Sequence, residues 1–402
     1  MRLRGEGTLL RARPQSEVVD QLARVLDAWR DARGRWQHEL APRVAASGGF
    51  SEATVRRDLS QALETWSGDA LRDVVRKELG GSDERGHELT SVLLAGCIPM
   101  PTLLQILLVL AVRSPALVKL ASRDRVTAHL VRNSVAEVDA QLGRCIEVLE
   151  PDATRQRGAA ADFFSSPCVV ASGSDETIEA VRAQMTDKNS LIAYGHRLSI
   201  AVIGDAALNE ETAAALASDV AAWDQLGCLS PAVAFVVGGS DDALTSFGKA
   251  VAAHLQRLEH EAPRGELDAS TAASIRAERE TARLRFASAT GSREFAPAVH
   301  SSAGSEWTVV LEADDGAEAE LRSMPLHRFL RIQPVRDAEA LTRLTAPLTP
   351  WLSTLSTAGL SDAEHDRLAT LGAERICRPG EMQVPPLGWH RDGLALLRPL
   401  IS

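Results

Sequence analysis

Apolar residues recur at helical spacing through the first 80 residues of the chain. One face carries Val18, Val19, Leu22, Val25, Leu26 and Trp29, and the spacing returns at Val55, Leu59, Leu63 and Trp66. A period of 3.6 residues predicts amphipathic helices. Ser16 is the expected N-cap of the first helix, because its hydroxyl can accept a hydrogen bond from a first-turn N–H group. Gly80 and Gly81 are expected to end the helix that contains Leu71–Leu79.

From Thr90 onward, short apolar runs alternate with helical segments. The runs of strand length are Ser91–Ala95, Ala116–Leu120, Cys168–Ser172, Ser199–Ile203, Ala232–Val237 and Trp307–Glu312. The helices expected between them are Leu103–Val112, Asp175–Gln184, Asn209–Trp223 and Ser270–Ala287. Proline, glycine and charged residues predict loops at Pro151–Ala160, Glu261–Asp268 and Ala313–Gly316, and near the C-terminus only Leu394–Leu400 is expected to be regular. This alternation predicts an α/β fold with mainly parallel sheets.

The charge balance limits the kinds of partner. The chain has 402 residues, with 44 Lys and Arg against 54 Asp and Glu, for a formal net charge of −10. An acidic protein is poorly suited to binding phosphates of nucleic acids, so no nucleic-acid partner is expected. Lysine is scarce, which makes a lysine inside a motif informative: the four are Lys77, Lys119, Lys188 and Lys249.

The cysteines indicate a reducing compartment. The five are widely spaced, odd in number and form no CxxC pair, so neither a disulfide framework nor a metal site is expected. No apolar core follows the basic residues at the N-terminus, and the most apolar stretch, Leu103–Val112, is too short to cross a bilayer. We therefore expect a cytoplasmic protein with no membrane span.

One cysteine lies in a segment suited to covalent chemistry. Cys228 follows Gly227 between a predicted helix and a predicted strand, and Ser230 and Pro231 close the segment. Glycine leaves room beside the sulfur, and the N–H group of Cys228 can face an oxyanion on an acyl group attached to that sulfur. Local N–H dipoles would have to lower the thiol pKa, because the thiolate is the nucleophile. A buried structural cysteine explains the same pattern equally well.

Several segments in order favour the chemical interpretation. Asp224–Pro231 closely resembles the catalytic-cysteine segment of bacterial acyl-CoA reductases of the LuxC type, which are relatives of the aldehyde dehydrogenases. The similarity continues over most of the chain through Glu78–Gly80, Ala95–Pro99, Arg113–Ser122, Val170–Thr177, Tyr194–Ser199 and Cys377–Gly393. This resemblance implies an aldehyde dehydrogenase-like fold of two α/β domains with an active-site cleft between them. It assigns 1–199 to a nicotinamide-cofactor domain with a helical N-terminal region, and 200–402 to a catalytic domain in which Cys228 is the nucleophile.

The resemblance also implies cofactor residues. Lys119 ends a predicted strand, where the matching lysine of aldehyde dehydrogenases contacts the adenosine ribose. Ser122 stands where NAD-preferring relatives often carry a glutamate, which would repel a 2′-phosphate, so NADPH is the expected cofactor and NADH the alternative. Gly173 and Ser174 open a predicted helix whose first-turn N–H groups can hold a pyrophosphate. Many helices begin in the same way only to satisfy their own N-termini.

Two departures from the aldehyde dehydrogenase pattern affect the expected chemistry. No carboxylate occurs between Asn189 and Gly204, where hydrolytic relatives place the general base, and this favours reduction over hydrolysis. His196 is the nearest imidazole and could act on the leaving thiol, although a turn histidine without a role is as consistent. Cys97 replaces an asparagine expected to donate to the oxyanion, and a thiol is a weaker donor. Apolar packing explains Cys97 equally well.

The predicted function is NADPH-dependent reduction of an acyl thioester to an aldehyde through an S-acyl intermediate on Cys228. The alternatives are an acyltransferase that uses the same cysteine without reduction, and a non-catalytic scaffold with a degraded oxyanion hole. The acyl donor is expected to be an acyl-CoA or an acyl-carrier thioester. A homo-oligomer, or a partner enzyme that donates the acyl group or consumes the aldehyde, is also expected. The C-terminal Gly388–Gly393 is interpreted as a closing loop rather than as the lining of a substrate entrance.

Overall fold

The computed structural model describes residues 2–94, 96–150, 163–288, 297–313, 322 and 324–402. The chain divides into two compact units, of which unit 1 comprises Met1–His196 with Val384–Ser402 and unit 2 comprises Arg197–Gln383. The first boundary lies three residues before the one predicted at 199/200, and the C-terminal segment returns to unit 1 instead of remaining with the second half of the chain. The cofactor and catalytic roles predicted for the two halves stay predictions.

Unit 1 begins with five helices. They are α1 (Arg2–Arg11), α2 (Gln15–Arg30), α3 (Arg35–Gly48), α4 (Glu52–Ala62) and α5 (Gly68–Leu79). The apolar face predicted for α2 is confirmed, because its valines and leucines and Trp29 are buried. The prediction of Ser16 as N-cap is wrong: the cap position is Pro14, and Ser16 lies inside the first turn. Gly80 ends α5 with a φ of 60°, as its left-handed preference predicts.

The rest of unit 1 is a parallel five-stranded sheet with its connecting helices. Its elements are β1 (Thr90–Leu94), α6 (Met100–Ala111), β2 (Ala116–Lys119), α7 (Thr127–Val138), α8 (Ala140–Arg144), β3 (Ile146–Leu149), β4 (Cys168–Ser172), α9 (Asp175–Arg182) and β5 (Ser190–Tyr194). The strand order is β3-β2-β1-β4-β5, and every neighbouring pair is parallel. All five strands therefore end at one edge of the sheet, which is where α/β folds bind ligands.

Unit 2 is built around a seven-stranded sheet. Its strands are β6 (Leu198–Gly204), β7 (Pro231–Val237), β8 (Ala298–Ser301), β9 (Thr308–Leu311), β10 (Phe329–Val335), β11 (Leu352–Ala358) and β12 (Arg375–Cys377). Its helices are α10 (Glu210–Ala221), α11 (Asp241–Glu261), α12 (Ala269–Ser288), α13 (Ala338–Thr345) and α14 (Asp362–Ala369). The order is β12-β11-β6-β7-β10-β9-β8, and only the β8–β9 pair among these strands is antiparallel.

The central strands of unit 2 are buried on both faces. Ala201 and Ile203 of β6 belong to one apolar cluster, whereas Ile200 and Val202 belong to another. A strand that is buried on both faces has apolar residues at consecutive positions. For this reason the sequence predicts the ends of β6 and β7 to within one residue. The predicted loop Glu261–Asp268 is confirmed after the end of α11 at Glu261, whereas Pro151–Ala160 lies outside the described residues.

The C-terminal segment is fastened to the helices of unit 1. Trp66 Nε1 donates to the Pro385 carbonyl at 3.0 Å, and the Glu78 carboxylate accepts from the N–H groups of Leu396 and Leu397 at 2.9 and 2.7 Å. Within the predicted regular stretch Leu394–Leu400, only a 3-10 turn at Arg398–Leu400 forms. Burial and side-chain anchors, rather than regular structure, hold this segment in place.

Candidate active site

Cys228 lies in a tight turn that leads into β7. The Ser230 N–H donates to the Gly227 carbonyl at 3.0 Å and closes the turn around the cysteine. Ser199 Oγ, on the neighbouring strand, donates to the Cys228 carbonyl at 2.7 Å. The Cys228 N–H donates to no oxygen among the described residues, so it is available to a group outside the chain. The side chain is partly exposed.

The backbone just before this turn is strained. Trp223, Asp224 and Gln225 have φ values of 50°, 51° and 64°. The left-handed region costs a residue with a side chain about 1–2 kcal/mol, and here three consecutive residues occupy it. Such strain persists only where surrounding contacts enforce it. The predicted helix Asn209–Trp223 ends at Ala221 for this reason.

A buried ion pair enforces the strained backbone. The Arg328 guanidinium contacts Asp224 Oδ1, with Nη2 at 2.7 Å and Nε at 2.9 Å, and both side chains are at most 3% exposed. Asp224 Oδ2 also accepts from the Gly265 N–H at 3.0 Å. Arg328 itself ends a second left-handed run, since Leu326, His327 and Arg328 have φ values of 61°, 58° and 63°. The pair therefore joins two strained segments of unit 2.

Gln225 ties the same backbone to two strands. Its Nε2 donates to the carbonyls of Pro231 and Phe329 at 2.9 and 3.0 Å, and its Oε1 accepts from the Phe329 N–H at 2.8 Å. The side chain is buried, so these bonds are not shared with bulk water. They hold the start of β7 against the start of β10. Gln225 lies three residues before Cys228 in the chain.

Asp219 and Gln383 support the turn from the other side. The Asp219 carboxylate accepts from the N–H groups of Gly380 and Met382 at 2.6 and 3.2 Å. Burial nevertheless raises the pKa of Asp219 to about 7, because the backbone hydrogen bonds and the charge of Arg375 compensate only part of the desolvation. Gln383 Nε2 donates to Ser230 Oγ at 3.1 Å, which links this cluster to the turn of Cys228.

The predicted cofactor residues all lie at the carboxyl edge of the sheet in unit 1. Lys119 is the last residue of β2, and Ser122 is exposed three residues later. The nearby carboxylate of Asp124 is buried, and it accepts from the N–H groups of Val126 and Thr127 at 3.1 and 3.0 Å. These hydrogen bonds hold the Asp124 carboxylate against the first turn of α7. The Asp124 carboxylate is therefore not exposed on the surface beside Ser122.

Gly173 and Ser174 follow β4 at the same edge. Ser174 is the N-cap of α9 and its Oγ accepts from the Thr177 N–H at 3.3 Å, so the predicted helix start is confirmed. Asp175 turns back and accepts from the His196 N–H at 3.1 Å. Hydrogen bonds from Ser174 and from the backbone of Glu176 lower the pKa of the Glu176 carboxyl. The first turn of α9 is therefore partly satisfied by its own side chains, and its pyrophosphate role stays a prediction.

The His196 contact is one that the sequence did not reveal. No carboxylate lies between Asn189 and Gly204, yet the fold brings Asp175 from α9 to this segment. Asp175 bonds to backbone, and the roles of His196 in proton transfer and of Gly173 and Ser174 in binding stay predictions. The sequence Ser-Asp-Glu at the start of α9 indicates a carboxylate near a helix N-terminus. It does not indicate that Asp175 accepts a hydrogen bond from the segment of His196.

The other cysteines differ from Cys228 in their surroundings. Burial raises the pKa values of Cys145, Cys168 and Cys377 to about 12, so their thiols stay protonated at neutral pH. Cys97 is 4% exposed and lies between β1 and α6 in unit 1. Its effect on an oxyanion stays a prediction. The thiols at 145, 168 and 377 are those expected of packed cysteines.

Comparison with known proteins decides the family. The family model described as acyl-CoA reductase (LuxC) matches residues 10–402, which is nearly the whole chain. The chain belongs to the LuxC family of acyl-CoA reductases. It is 25% identical over 323 residues to long-chain acyl-protein thioester reductase 2 of Photobacterium leiognathi, and the match covers 77% of this chain and 62% of that protein. It is 22% identical to the long-chain acyl-protein thioester reductase of Aliivibrio fischeri, over 96% of this chain and 81% of that one.

Solved structures show the fold of this LuxC-family chain. A succinate-semialdehyde dehydrogenase from Burkholderia pseudomallei matches with a TM-score of 0.75 and 16% identity, over 100% of this chain and 87% of that one. An NAD-dependent benzaldehyde dehydrogenase from Corynebacterium glutamicum matches with a TM-score of 0.72 and 11% identity, over 99% and 85%. The predicted aldehyde dehydrogenase-like fold is confirmed. Across the described residues, every helix is too short or too polar to cross a membrane.

Proposed function

We propose that this LuxC-family protein reduces an acyl thioester to an aldehyde, with NADPH as the reductant and Cys228 as the nucleophile. The observation that carries the proposal is the turn of Cys228, a partly exposed thiol whose own N–H is unpaired among the described residues. The names of the Photobacterium and Aliivibrio relatives support the substrate class. The acyl donor is an acyl-CoA or an acyl-carrier thioester.

The first chemical step is acyl transfer to the cysteine. The Cys228 thiolate attacks the thioester carbonyl carbon, the new S–C bond forms, and the bond to the donor sulfur breaks. The donor leaves as a thiolate, which takes up a proton. The Cys228 N–H stabilises the oxyanion of the tetrahedral intermediate, and the contacts of Asp224, Gln225 and Arg328 keep that N–H in place.

The second step is reduction of the S-acyl group. NADPH, when bound, would supply the hydride that the acyl carbon accepts. The Cys228 N–H again faces the oxyanion, now of a thiohemiacetal bound to the sulfur. Breaking the S–C bond releases the aldehyde and returns Cys228 as a thiolate. Between Asn189 and Gly204 the sequence offers no carboxylate to activate water, which favours reduction over hydrolysis of the acyl-enzyme.

The carboxyl edge of the sheet in unit 1 fits a phosphate-bearing dinucleotide. Lys119 ends β2 without an ion-pair partner among the described residues, and Ser122 is exposed on the same edge. In this proposal Lys119 holds the adenosine ribose, Ser122 leaves space for a 2′-phosphate, and Gly173 and Ser174 lie beside the pyrophosphate. NADH is the alternative cofactor. Cytoplasmic location and a homo-oligomer or partner enzyme remain expectations from the sequence.

Replacing the nucleophile tests this proposal directly. Cys228→Ser is expected to abolish both the S-acyl adduct, followed by intact mass, and NADPH oxidation, because a serine hydroxyl here has no base to activate it. Cys377→Ser is the matched control, since it removes a thiol of the same unit whose pKa is about 12. Graded acyl-CoAs and an acyl-carrier thioester serve as donors.

The outcomes separate the alternatives. An adduct on the wild type without oxidation of either NADPH or NADH identifies an acyltransferase, and the absence of any adduct identifies a non-catalytic scaffold. An adduct that persists in Cys228→Ser contradicts the assignment of the nucleophile. Activity that is lost in Cys377→Ser as well points to general damage by loss of a thiol.

A further inference from the structure

The C-terminal segment carries an arginine to the carboxyl edge of the sheet in unit 1. Arg391 Nη2 donates to Ser172 Oγ at 3.3 Å, and the guanidinium carbon lies 4.9 Å from the centre of the Tyr194 ring. Ser172 and Tyr194 are the last residues of β4 and β5. Arg391 therefore lies directly above the strand ends from which Gly173 and Ser174 continue.

The segment around Arg391 is anchored on both sides. Before it, the Pro385 carbonyl accepts from Trp66 Nε1 at 3.0 Å. After it, the Glu78 carboxylate accepts from the N–H groups of Leu396 and Leu397, and Arg398 forms an ion pair with Glu84 at 2.9 Å. Arg391 is thus held over the sheet edge by the fold of unit 1 and is not part of a free chain end.

The guanidinium of Arg391 forms no ion pair within the described part of the chain. The carboxylates of Asp392 and Glu78 lie close enough to add to the effect of burial in raising the pKa of the neighbouring Tyr194. The buried Nε of Arg391 donates to no described group. Its contacts are a neutral hydroxyl and a ring, and burial raises the pKa of Tyr194 to about 12, so the phenol supplies no negative charge. The carboxylate of the nearby Glu78 accepts hydrogen bonds from backbone N–H groups of the same C-terminal segment. A partly buried cation in such surroundings favours an anionic ligand.

A second unpaired cation lies on the same edge. Leu93 of β1 pairs with Lys119 on one side and with Ala171 on the other, so Lys119 and Ser172 are two strand spacings apart, roughly 10 Å. Neither Lys119 nor Arg391 has an ion-pair partner among the described residues. Two cations based on strand ends at this spacing suit a ligand that carries more than one phosphate group across the strand ends.

We propose that Arg391 binds a phosphate group of a nucleotide ligand at this edge, so that the C-terminal segment forms part of the ligand site. The inference rests on the proposed function for the identity of the ligand, which is the nicotinamide dinucleotide. Coenzyme A carries the same phosphate chemistry and is the other source. This role replaces the interpretation of Gly388–Gly393 as a closing loop without a ligand contact.

Binding measurements on charge-changing variants test the proposal. Arg391→Met is expected to raise the Kd for NADP+, measured calorimetrically, by about 10- to 100-fold, since charge-assisted hydrogen bonds are lost. Arg391→Lys keeps the charge and is expected to recover part of the affinity. Arg398→Met is the matched control, because its exposed pair with Glu84 lies in the same segment and away from Ser172 and Tyr194. Circular dichroism and Tm confirm that each variant is folded.

The two sources are separated by repeating each titration with coenzyme A. A loss of NADP+ affinity alone identifies the dinucleotide phosphate, and a loss of coenzyme A affinity alone identifies the thioester donor. Unchanged Kd values for both ligands in folded Arg391→Met overturn the inference and leave the proposed function intact. If the wild type binds neither ligand, the proposed function and this inference fail together. An equal loss in Arg398→Met would show that anchoring of the segment, and not the Arg391 charge, controls affinity, and would also overturn it.

Discussion

Two buried aspartates, Asp219 before the 3-10 turn Ala222–Gln225 and Asp224 within it, have their carboxylates held by different partners. Asp224 forms an ion pair with Arg328 at 2.7 Å and accepts from one backbone N–H. Asp219, five residues earlier, has no ion pair among the described residues and accepts from two backbone N–H groups. Both side chains belong to the contacts that hold the turn of Cys228 in place. Burial raises the pKa of Asp219 to about 7, because no cation among the described residues contacts its carboxylate to offset the desolvation.

The pKa of Asp219 makes its contacts sensitive to pH near neutrality. Removing one partner of a buried ion pair leaves the remaining charge less well compensated, which is costly in a medium of low polarity. A carboxylate held only by N–H dipoles gains a proton near neutrality. We therefore interpret Asp219 as a titrating anchor, and we call Asp224, which is held by direct contact with Arg328, the fixed anchor of the strained backbone.

Breaking the fixed anchor has the largest expected effect. Asp224→Ala should lower the free energy of unfolding by about 3 kcal/mol, since the buried Arg328 loses its closest partner and keeps only the Glu259 carboxylate, at 2.9 Å. The left-handed residues before Cys228 then lose their main restraint, and acylation of Cys228 per folded molecule should slow by at least about tenfold. Chemical denaturation and the rate of S-acyl adduct formation are the measurements.

A second buried pair provides the control. Arg331 contacts Glu312 at 2.7 Å with both side chains at most 3% exposed, but these residues lie on or beside regular strands. Glu312→Ala should destabilise unit 2 to a comparable degree and leave the acylation rate per folded molecule unchanged. Equal slowing in both variants would mean that general loosening, and not the strained turn, controls Cys228.

The sequence predicts regular elements much better than this support. Apolar runs define β4, β6 and β7 almost to the residue, because strands buried on both faces need continuous apolar sequence. The left-handed run Trp223–Gln225 carries no glycine, so no local signal indicates it. Its partner Arg328 lies 104 residues away in the chain, and one sequence contains no information on such a pairing.

The candidate site shows the same division. Lys119 and Ser174 occupy the strand end and helix start that the pattern predicts. Arg391 belongs to the motif Gly388–Gly393, which the sequence singles out without indicating where it lies. Its position over β4 and β5 depends on anchors at Trp66 and Glu78, which are more than 300 residues away in the chain. Long-range anchoring, rather than local propensity, determines this part of the site.

Titration of Asp219 has the next largest expected effect. Its folded-state pKa of about 7 lies above the value of about 3.9 for an unfolded aspartate, so the folded protein binds this proton more tightly. The stabilisation is therefore fully present below about pH 4 and is lost as the pH rises through 7. Each pKa unit corresponds to about 1.4 kcal/mol. Wild-type protein should gain stability from this group between pH 8 and pH 5.

The variant Asp219→Asn isolates this contribution. An amide resembles the neutral acid in shape and does not titrate, so the difference in unfolding free energy between the two proteins should change between pH 8 and pH 5. Denaturation curves across that range measure it, and other carboxylates and histidines cancel in the difference. A difference that stays constant with pH would show that Asp219 does not titrate in this range and would remove the contrast between the two anchors.

The smallest expected effect concerns the link between Asp219 and the turn. Gln383 Nε2 donates to Ser230 Oγ at 3.1 Å and to the Asp219 carbonyl at 3.5 Å, and only 6% of the side chain is exposed. Gln383→Ala should cost about 1 kcal/mol of stability, which is the net value of such a hydrogen bond. It should also remove any dependence of Cys228 acylation on the protonation of Asp219, because this side chain connects the two. Gln105→Ala, a buried glutamine of α6 in unit 1, is the control. An acylation rate that keeps the wild-type pH profile in Gln383→Ala would show that the titrating anchor acts on the fold of unit 2 and not on the cysteine turn.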